Sequence, residues 1–492
     1  RSGIWLKPSV GCFSSIPCTL GRCGVVNVAC SMADWAVGGP YLIAYMVFSV
    51  VVFVMEFYLD VRQYRKNCTK EVPPELKYVG VECNKEEFLK TQDYQKDKRL
   101  FGFVKDPLGF AWAVFNLFYT GPALWHFSSS LFEKGDYFEY KCTLCWLFLQ
   151  GWVDKPLSSA FSLYSSFVLE EKHGFNKMTL GLWISDLAKS ELLSYFFGGL
   201  LIPLLIWVVN STGERFYLYA WGTCQTLIFA FMWIYPNVIQ PMFNKFEELK
   251  DEELRKKICN LAAEHNFPLT KLFQVDGSKR SSHSNAYFFG FWKFKRIVLF
   301  DTLLKDKDDE DTKKGTDEDK KEEDKKESTT PREKLYSHSE ILAVLCHELG
   351  HWKFNHTTMM LVISSAHIFI LFYLFGQVMY SGESSQAIVR QFGYAETKSV
   401  MVSLTIFMMM FEPTEKILQL LMTLLTRRNE FQADGFAVSC GRARPLVTGL
   451  KTLSKANKGD LNPDPWYSWY HHSHPPLVER LKPIMDAAKK EK

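Results

Sequence analysis

His347, Glu348 and His351 stand in the order His-Glu-Leu-Gly-His, the spacing H-E-x-x-H. Residues four apart on a helix share a face. Two neutral imidazoles can therefore grip one Zn²⁺ while Glu348 projects beside a water on the ion. That is the chemistry of a zinc hydrolase. With 12 histidines in the chain, the pattern arises by accident on the order of one time in a hundred. The competing reading, two histidines on the surface of an ordinary helix, is the minor one. A catalytic zinc also needs a third protein ligand, which must come from elsewhere in the chain.

A helix to carry the pair is legible around it. Ser337 and Glu340 have the spacing of a capping box, and Ile341, Val344, Leu345, Leu349 and Trp352 supply apolar positions near the helical period. The helix is expected to start at Ser337.

The chain has 492 residues, an aromatic share of 15%, and Gly and Pro scattered through apolar runs, a composition that points to membrane segments. A net charge of +4 is small for this length and gives no footing for nucleic-acid binding, which wants a clustered basic face with stacking aromatics. The 12 cysteines form no paired metal knuckles; Cys142 and Cys145 lie in an apolar run, and most read as plain buried thiols. Cys12, Cys18, Cys23 and Cys30 belong to a leading segment, 1–31, that reads as a non-native or upstream extension ahead of Met32. A signal peptide is the rival reading, without a clean apolar core.

Residues 40–59 are about the length that crosses a bilayer. Residues 108–132, 142–167, 187–210, 216–235, 357–380 and 399–425 are similar, which makes seven expected spans. The second and third carry polar interruptions, Asn116 and the group Asp154-Lys155-Pro156. Arg62, Arg65, Lys66 and Lys70 behind the first span, and Arg427 and Arg428 behind the seventh, assign those ends to the cytosol. The helix with the two histidines is then cytosolic. Glu56, Asp154, Lys155, Glu412, Glu415 and Lys416 fall inside spans. They either face a wet bundle interior or pair with one another.

The expected organisation is five spans in 32–236, a cytosolic protease part in 237–356, two spans in 357–425, and a cytosolic remainder in 426–492. Within the protease part, the apolar runs 271–275 and 296–300 read as strands of a small sheet bracketing 281–290. An edge strand there could hold a peptide by adding it to the sheet. Residues 305–334, densely charged and without a large apolar side chain, read as a disordered insertion.

Topology narrows the search for the third ligand. The histidines lie just before the sixth span, and two crossings later the chain re-emerges on the same face at Glu430-Phe-Gln-Ala-Asp434. If the seventh span continues as a helix, Asp434 sits one turn beyond Glu430, where it can accept a hydrogen bond from a ligating histidine. Glu412 and Glu415 compete for the role but lie deeper in the bilayer. His356 lacks the spacing of the three-histidine zinc proteases and reads as a bystander.

With these residues in hand, the chain resembles the type I CAAX prenyl proteases, membrane zinc metalloproteases, from about Trp35 to the C-terminus. The resemblance rests on Glu170-Glu-Lys-His-Gly-Phe-Asn176, Gly277-Ser-Lys-Arg-Ser-Ser-His-Ser-Asn-Ala-Tyr287, His347-Glu-Leu-Gly-His-Trp352, Glu430-Phe-Gln-Ala-Asp434 and Ser473-His-Pro-Pro476. It implies one Zn²⁺ held by His347, His351 and Glu430, with Glu348 as catalytic base. It places Asn285 and His474 against the substrate backbone, His474 also at the developing oxyanion, and Arg480 near the site. The implied fold is mainly α, a barrel of seven membrane helices around a water-filled chamber, capped by the cytosolic protease domain with its small β-sheet.

The implied substrate is a prenylated, typically farnesylated, C-terminal Cys-a-a-X segment cut after the lipidated cysteine, with a second upstream cut on some substrates. A bilayer site suits a lipidated tail. The alternative enzyme reading is a membrane quality-control protease; a non-catalytic membrane protein is disfavoured by Glu348 and by only three ligands. Lys489 and Lys490 resemble a dilysine retrieval signal, and the resemblance implies the endoplasmic reticulum membrane, with the inner nuclear membrane as a second address.

Overall fold

A computed structural model describes residues 38–80, 84–290, 295–304, 336–379, 383–394 and 398–490. The extension 1–31 and the charged insertion 305–334 lie outside the described residues. The chain is mainly helical. α1 (Pro40–Asn67) starts on a proline, whose missing N–H costs nothing in a first turn, and ends on Arg65 and Lys66, which suit the negative end of the helix dipole. α2 (Pro74–Tyr78), α3 (Lys85–Phe115), α4 (Gly121–Ser130), α5 (Phe138–Tyr164), α6 (Leu180–Ser211), α7 (Phe216–Ile234) and α8 (Gln240–Phe243) follow.

Among the described residues, three helical stretches are long and apolar enough to cross a membrane: Pro40–Asn67, Leu180–Phe243 and His356–Val378. Four of the seven expected spans fall on them. The other three, 108–132, 142–167 and 399–425, are helical but more polar. Their interruptions have partners. Asp154 on α5 accepts hydrogen bonds from Trp112 Nε1 and Asn116 Nδ2, both at 2.8 Å, and from Gln150 Nε2 at 3.0 Å. Lys155 pairs with Glu191, Glu415 with His367 at 2.7 Å, and Lys416 with Glu56 at 2.9 Å. Glu56, Asp154, Lys155, Glu415 and Lys416 thus each have a polar partner within the structure. Large apolar side chains on α1, α6 and α7, among them Ile43, Val47, Val54, Phe196, Leu200 and Trp233, stay exposed, as lipid-facing positions do.

The protease part opens with β1 (Phe246–Glu248), α9 (Glu252–Glu264), β2 (Leu269–Val275), β3 (Ala286–Phe289) and β4 (Lys295–Phe300). The strands form one mixed sheet in the order β1-β2-β4-β3. β2 and β4 are parallel, as neighbours at the centre, and β3 runs antiparallel to β4 with Tyr287 opposite Val298. The sheet is larger than the sequence suggests, because the stretch between the two apolar runs itself supplies the edge strand. β4 reads as a central strand: Ile297, Val298 and Leu299 are buried in succession.

Then come α10 (His338–Lys353), α11 (His356–Met379), α12 (Glu383–Gln391), α13 (Val400–Ser439), α14 (Ala443–Ala456), α15 (Pro465–His471) and α16 (Leu477–Lys490). α10 has the expected capping box, with Ser337 and Glu340 satisfying each other's backbone N–H. Its Ile341, Leu345 and Leu349 join α9, the sheet, α14 and α16 in one core. A second core at the apolar end joins α1, α4 to α7, α11, α12 and the start of α13. α13, 40 residues in one helix, reaches from Val402 and Ile406 in the second core to Ala437 in the first. At 1.5 Å per residue it is about 60 Å long. It carries the chain from the expected seventh span to the two histidines without a break.

Candidate metal centre

α10 and α13 meet at Gly350. A Cβ there would lie 2.9 Å from Ala433 Cα and 3.1 Å from Ala433 O. Contacts that short are steric overlap, so glycine alone permits the approach. The approach brings His347 and His351 on α10 against Glu430 on α13. His351 Nε2 lies 3.3 Å from His347 Nε2 and 3.3 Å from Glu430 Oε1; His347 Nε2 lies 3.5 Å from Glu430 Oε2.

These separations test a metal directly. A tetrahedral ion with bonds of about 2.0–2.1 Å spaces its ligand atoms by about 3.3–3.4 Å. The three donors already have that triangle. Glu430 is 2% exposed, and its Oε2 is buried without a hydrogen bond of normal geometry, although His474 Nδ1 approaches to 2.9 Å. An unsatisfied buried carboxylate oxygen facing two imidazoles fits a cation. Burial would raise the Glu430 carboxyl, but His347, His351 and His474 hold it far below the ordinary range, as an anion.

Partners behind the imidazoles aim them. His347 Nδ1 lies 2.8 Å from Asp434 Oδ1, one turn beyond Glu430, and donates to it. Arg480 Nε and Nη2 grip the two Asp434 oxygens at 2.9 and 2.7 Å. Arg480, which the resemblance puts near the site, turns these donors on Asp434 and has Nη1 3.6 Å from Glu430. On the other imidazole, His351 Nδ1 lies 3.0 Å from His356 Nδ1, and His356 Nε2 lies 3.0 Å from Gln432 Oε1. Gln432 Oε1 can only accept, so His356 donates from Nε2 and accepts at Nδ1, and His351 Nδ1 must donate. Both ligating Nε2 atoms are thereby left with lone pairs toward the ion. His356, read as a bystander, is the support of His351. Its only signal was its place five residues past the second histidine.

Glu348 is half-buried beside the pair. Burial pushes its carboxyl above the ordinary glutamate range, against the opposing pull of His347 and His351. That direction makes it a better proton acceptor. His474, on the segment before α16, is mostly exposed, with 67% of its side-chain surface accessible. Asn285 stands exposed at the start of β3, the edge strand packed against α10. Its Oδ1 accepts from Ala286 N at 2.8 Å.

Two motifs quoted from the sequence meet away from the ligands and fix where β3 begins. Phe175 stacks on His283 at 4.0 Å, Asn176 bridges to Ser281, and Tyr94 donates to Glu170 at 2.9 Å. Asn457, which the sequence reading missed, accepts from Ser284 N at 2.9 Å and donates to Ser284 O at 3.1 Å. An asparagine after a helix end carries no local mark of such a role.

Proton competition sets a pH dependence. Burial works to lower His347, but the Asp434 and Glu430 carboxylates push it up to about 9 in the metal-free site. Below that value a proton on Nε2 must leave before a metal binds. Apparent metal affinity therefore rises with pH, by about tenfold per unit where one proton is displaced, and levels near pH 9. Competition with a chelator of known affinity checks this; a flat response between about pH 7 and 9 would contradict it.

The fold and site together define a membrane metallopeptidase, and comparison with known proteins agrees. Residues 63–245 match the CAAX prenyl protease N-terminal family of five membrane helices, and residues 248–488 match peptidase family M48. A CAAX prenyl protease 1 homolog of Oryza sativa subsp. japonica is 39% identical over 92% of this chain and 99% of its own length. The CAAX prenyl protease 1 homolog of Homo sapiens is 37% identical, over 90% of this chain and 94% of its own. The crystal structure of Ste24p from S. mikatae superposes with a TM-score of 0.76 at 34% identity, covering 91% of this chain and 99% of that one. The chain belongs to the type I CAAX prenyl protease family of M48 metalloendopeptidases.

Proposed function

We propose that this chain is a zinc endopeptidase of the endoplasmic reticulum membrane that removes the last three residues of prenylated CaaX proteins. His347, His351 and Glu430 hold one Zn²⁺ and Glu348 is the base. The observation that carries the reading is the triangle of donor atoms 3.3 to 3.5 Å apart, beside a glutamate of raised basicity. The family relationship supports the lipidated substrate. It also supports seven spans forming a hollow barrel, with the site on the cytosolic side and an upstream second cut on some substrates.

When bound, the ion supplies a Lewis acid for the scissile carbonyl and acidifies a water molecule. Glu348 takes the proton from the attacking water and passes it to the leaving amine. His474, exposed beside Glu430, is the candidate donor to the developing oxyanion, and Asn285 the candidate contact to substrate backbone at the edge of β3. Arg480 acts through Asp434, orienting His347.

The test compares matched peptides with and without a farnesyl group on the CaaX cysteine. The farnesylated peptide is expected to be cut after that cysteine and much faster. Equal rates would replace this reading with that of a membrane quality-control protease.

A further inference from the structure

A second set of metal-binding side chains converges behind the first. Cys346, one residue before His347, is fully buried on the face of α10 that enters the protease core. Cys440 and His265 meet it there, and one donor atom from each of the three lies within 4.8 Å of the others. Cys440 Sγ is 3.6 Å from His265 Nε2. A tetrahedral Zn²⁺, with bonds of about 2.3 Å to sulfur and 2.0–2.1 Å to nitrogen, spaces an S and an N ligand by about 3.6 Å. We propose that Cys346, Cys440 and His265 form a second metal site for a thiophilic divalent ion such as Zn²⁺, tying together the helices that bear the catalytic ligands.

Each donor is fixed by a regular element. Cys346 is in mid-helix. Cys440 caps α13, whose end is locked by Gly441 at φ 68°, with Gly441 N bonded to Val438 O at 2.9 Å and Arg442 N to Ala437 O at 3.1 Å. His265 caps α9 and packs its ring against Phe436 at 5.2 Å. The C-terminal ends of two helices thus point at one spot, and their dipoles favour positive charge there. Charge balance suits the surroundings as well. Two thiols lose their protons on binding, and two thiolates, one neutral imidazole and a divalent ion make a group of zero net charge, the kind an apolar core tolerates. A disulfide between the cysteines would need neither the imidazole nor its spacing from Cys440. The site is closed around Cys346 and open on the side of His265, which is only half-buried.

The catalytic ligand set contains no sulfur, which makes the two sites separable by spectroscopy. The full-length protein in detergent is reduced, freed of metal and loaded with Co²⁺ without oxygen. The wild type is expected to bind one cobalt per chain beyond the catalytic ion and to show thiolate-to-cobalt charge-transfer absorption. Cys440→Ser and His265→Ala should each lose that further ion and the absorption while keeping the sulfur-free catalytic ion. Any of three results would overturn the proposal: wild type with its thiols titrating as free but no charge-transfer absorption, absorption unchanged in Cys440→Ser, or a Cys346–Cys440 disulfide recovered after the same reducing step.

Discussion

Glu348→Gln keeps the metal and loses peptide cleavage by about 10²–10⁴-fold, the usual contribution of a positioned general base. The substitution preserves shape and removes the one function the mechanism asks of this side chain. Glu348 is not among the three converging donors, so the ligand triangle of His347, His351 and Glu430 survives it. Burial, which pushes the native carboxyl upward, gives the neutral amide no difficulty in the same place. Metal content by elemental analysis, read alongside the rate on a farnesylated CaaX peptide, checks both halves. Metal retained with near-native turnover would remove Glu348 from the mechanism.

Gly350→Ala is expected to strip the site without touching a ligand. The added methyl would sit 2.9 Å from Ala433 Cα and 3.1 Å from Phe436 Cβ, against backbone that cannot swing aside. Overpacking of this kind costs about 1–3 kcal/mol, and it separates the helices that carry the imidazoles and the carboxylate. Metal affinity should fall by at least the 10–100-fold typical of disturbed ligand support. Gly435→Ala is the control on α13: its Cβ meets nothing within 4 Å. There the change should be neutral or slightly stabilising by helix propensity. Equal metal affinity in both variants would show that the close approach does not position the site.

Much of the site could be read in the residues because it follows local periodicity. The i, i+4 pair His347 and His351, the capping box at Ser337, and Asp434 one turn past Glu430 are all helix geometry. Glu430 was sought by counting expected membrane crossings, and α13 runs unbroken from the second core to the site. What escaped depends on contacts between segments distant in sequence. Arg480 is 46 residues from Asp434, and Gln432 is 76 from His356. Their roles exist only after α16 and α11 have packed. β3 escaped for a different reason: four residues at a sheet edge, partly buried, give too short a pattern to separate from the turn around them. Polar interruptions in the expected spans were visible, but their partners were not. Asp154 and Trp112 lie 42 positions apart on different helices.

The central claim is that one ion bridges α10 and α13 at the point of cleavage, and removing and restoring that ion tests it most directly. Wild-type protein stripped by a chelator should lose cleavage of the farnesylated peptide and regain it on addition of Zn²⁺, whereas Glu430→Ala should stay inactive under the same addition. Full cleavage by the metal-free wild type, or recovery of Glu430→Ala to the wild-type rate, would contradict the account.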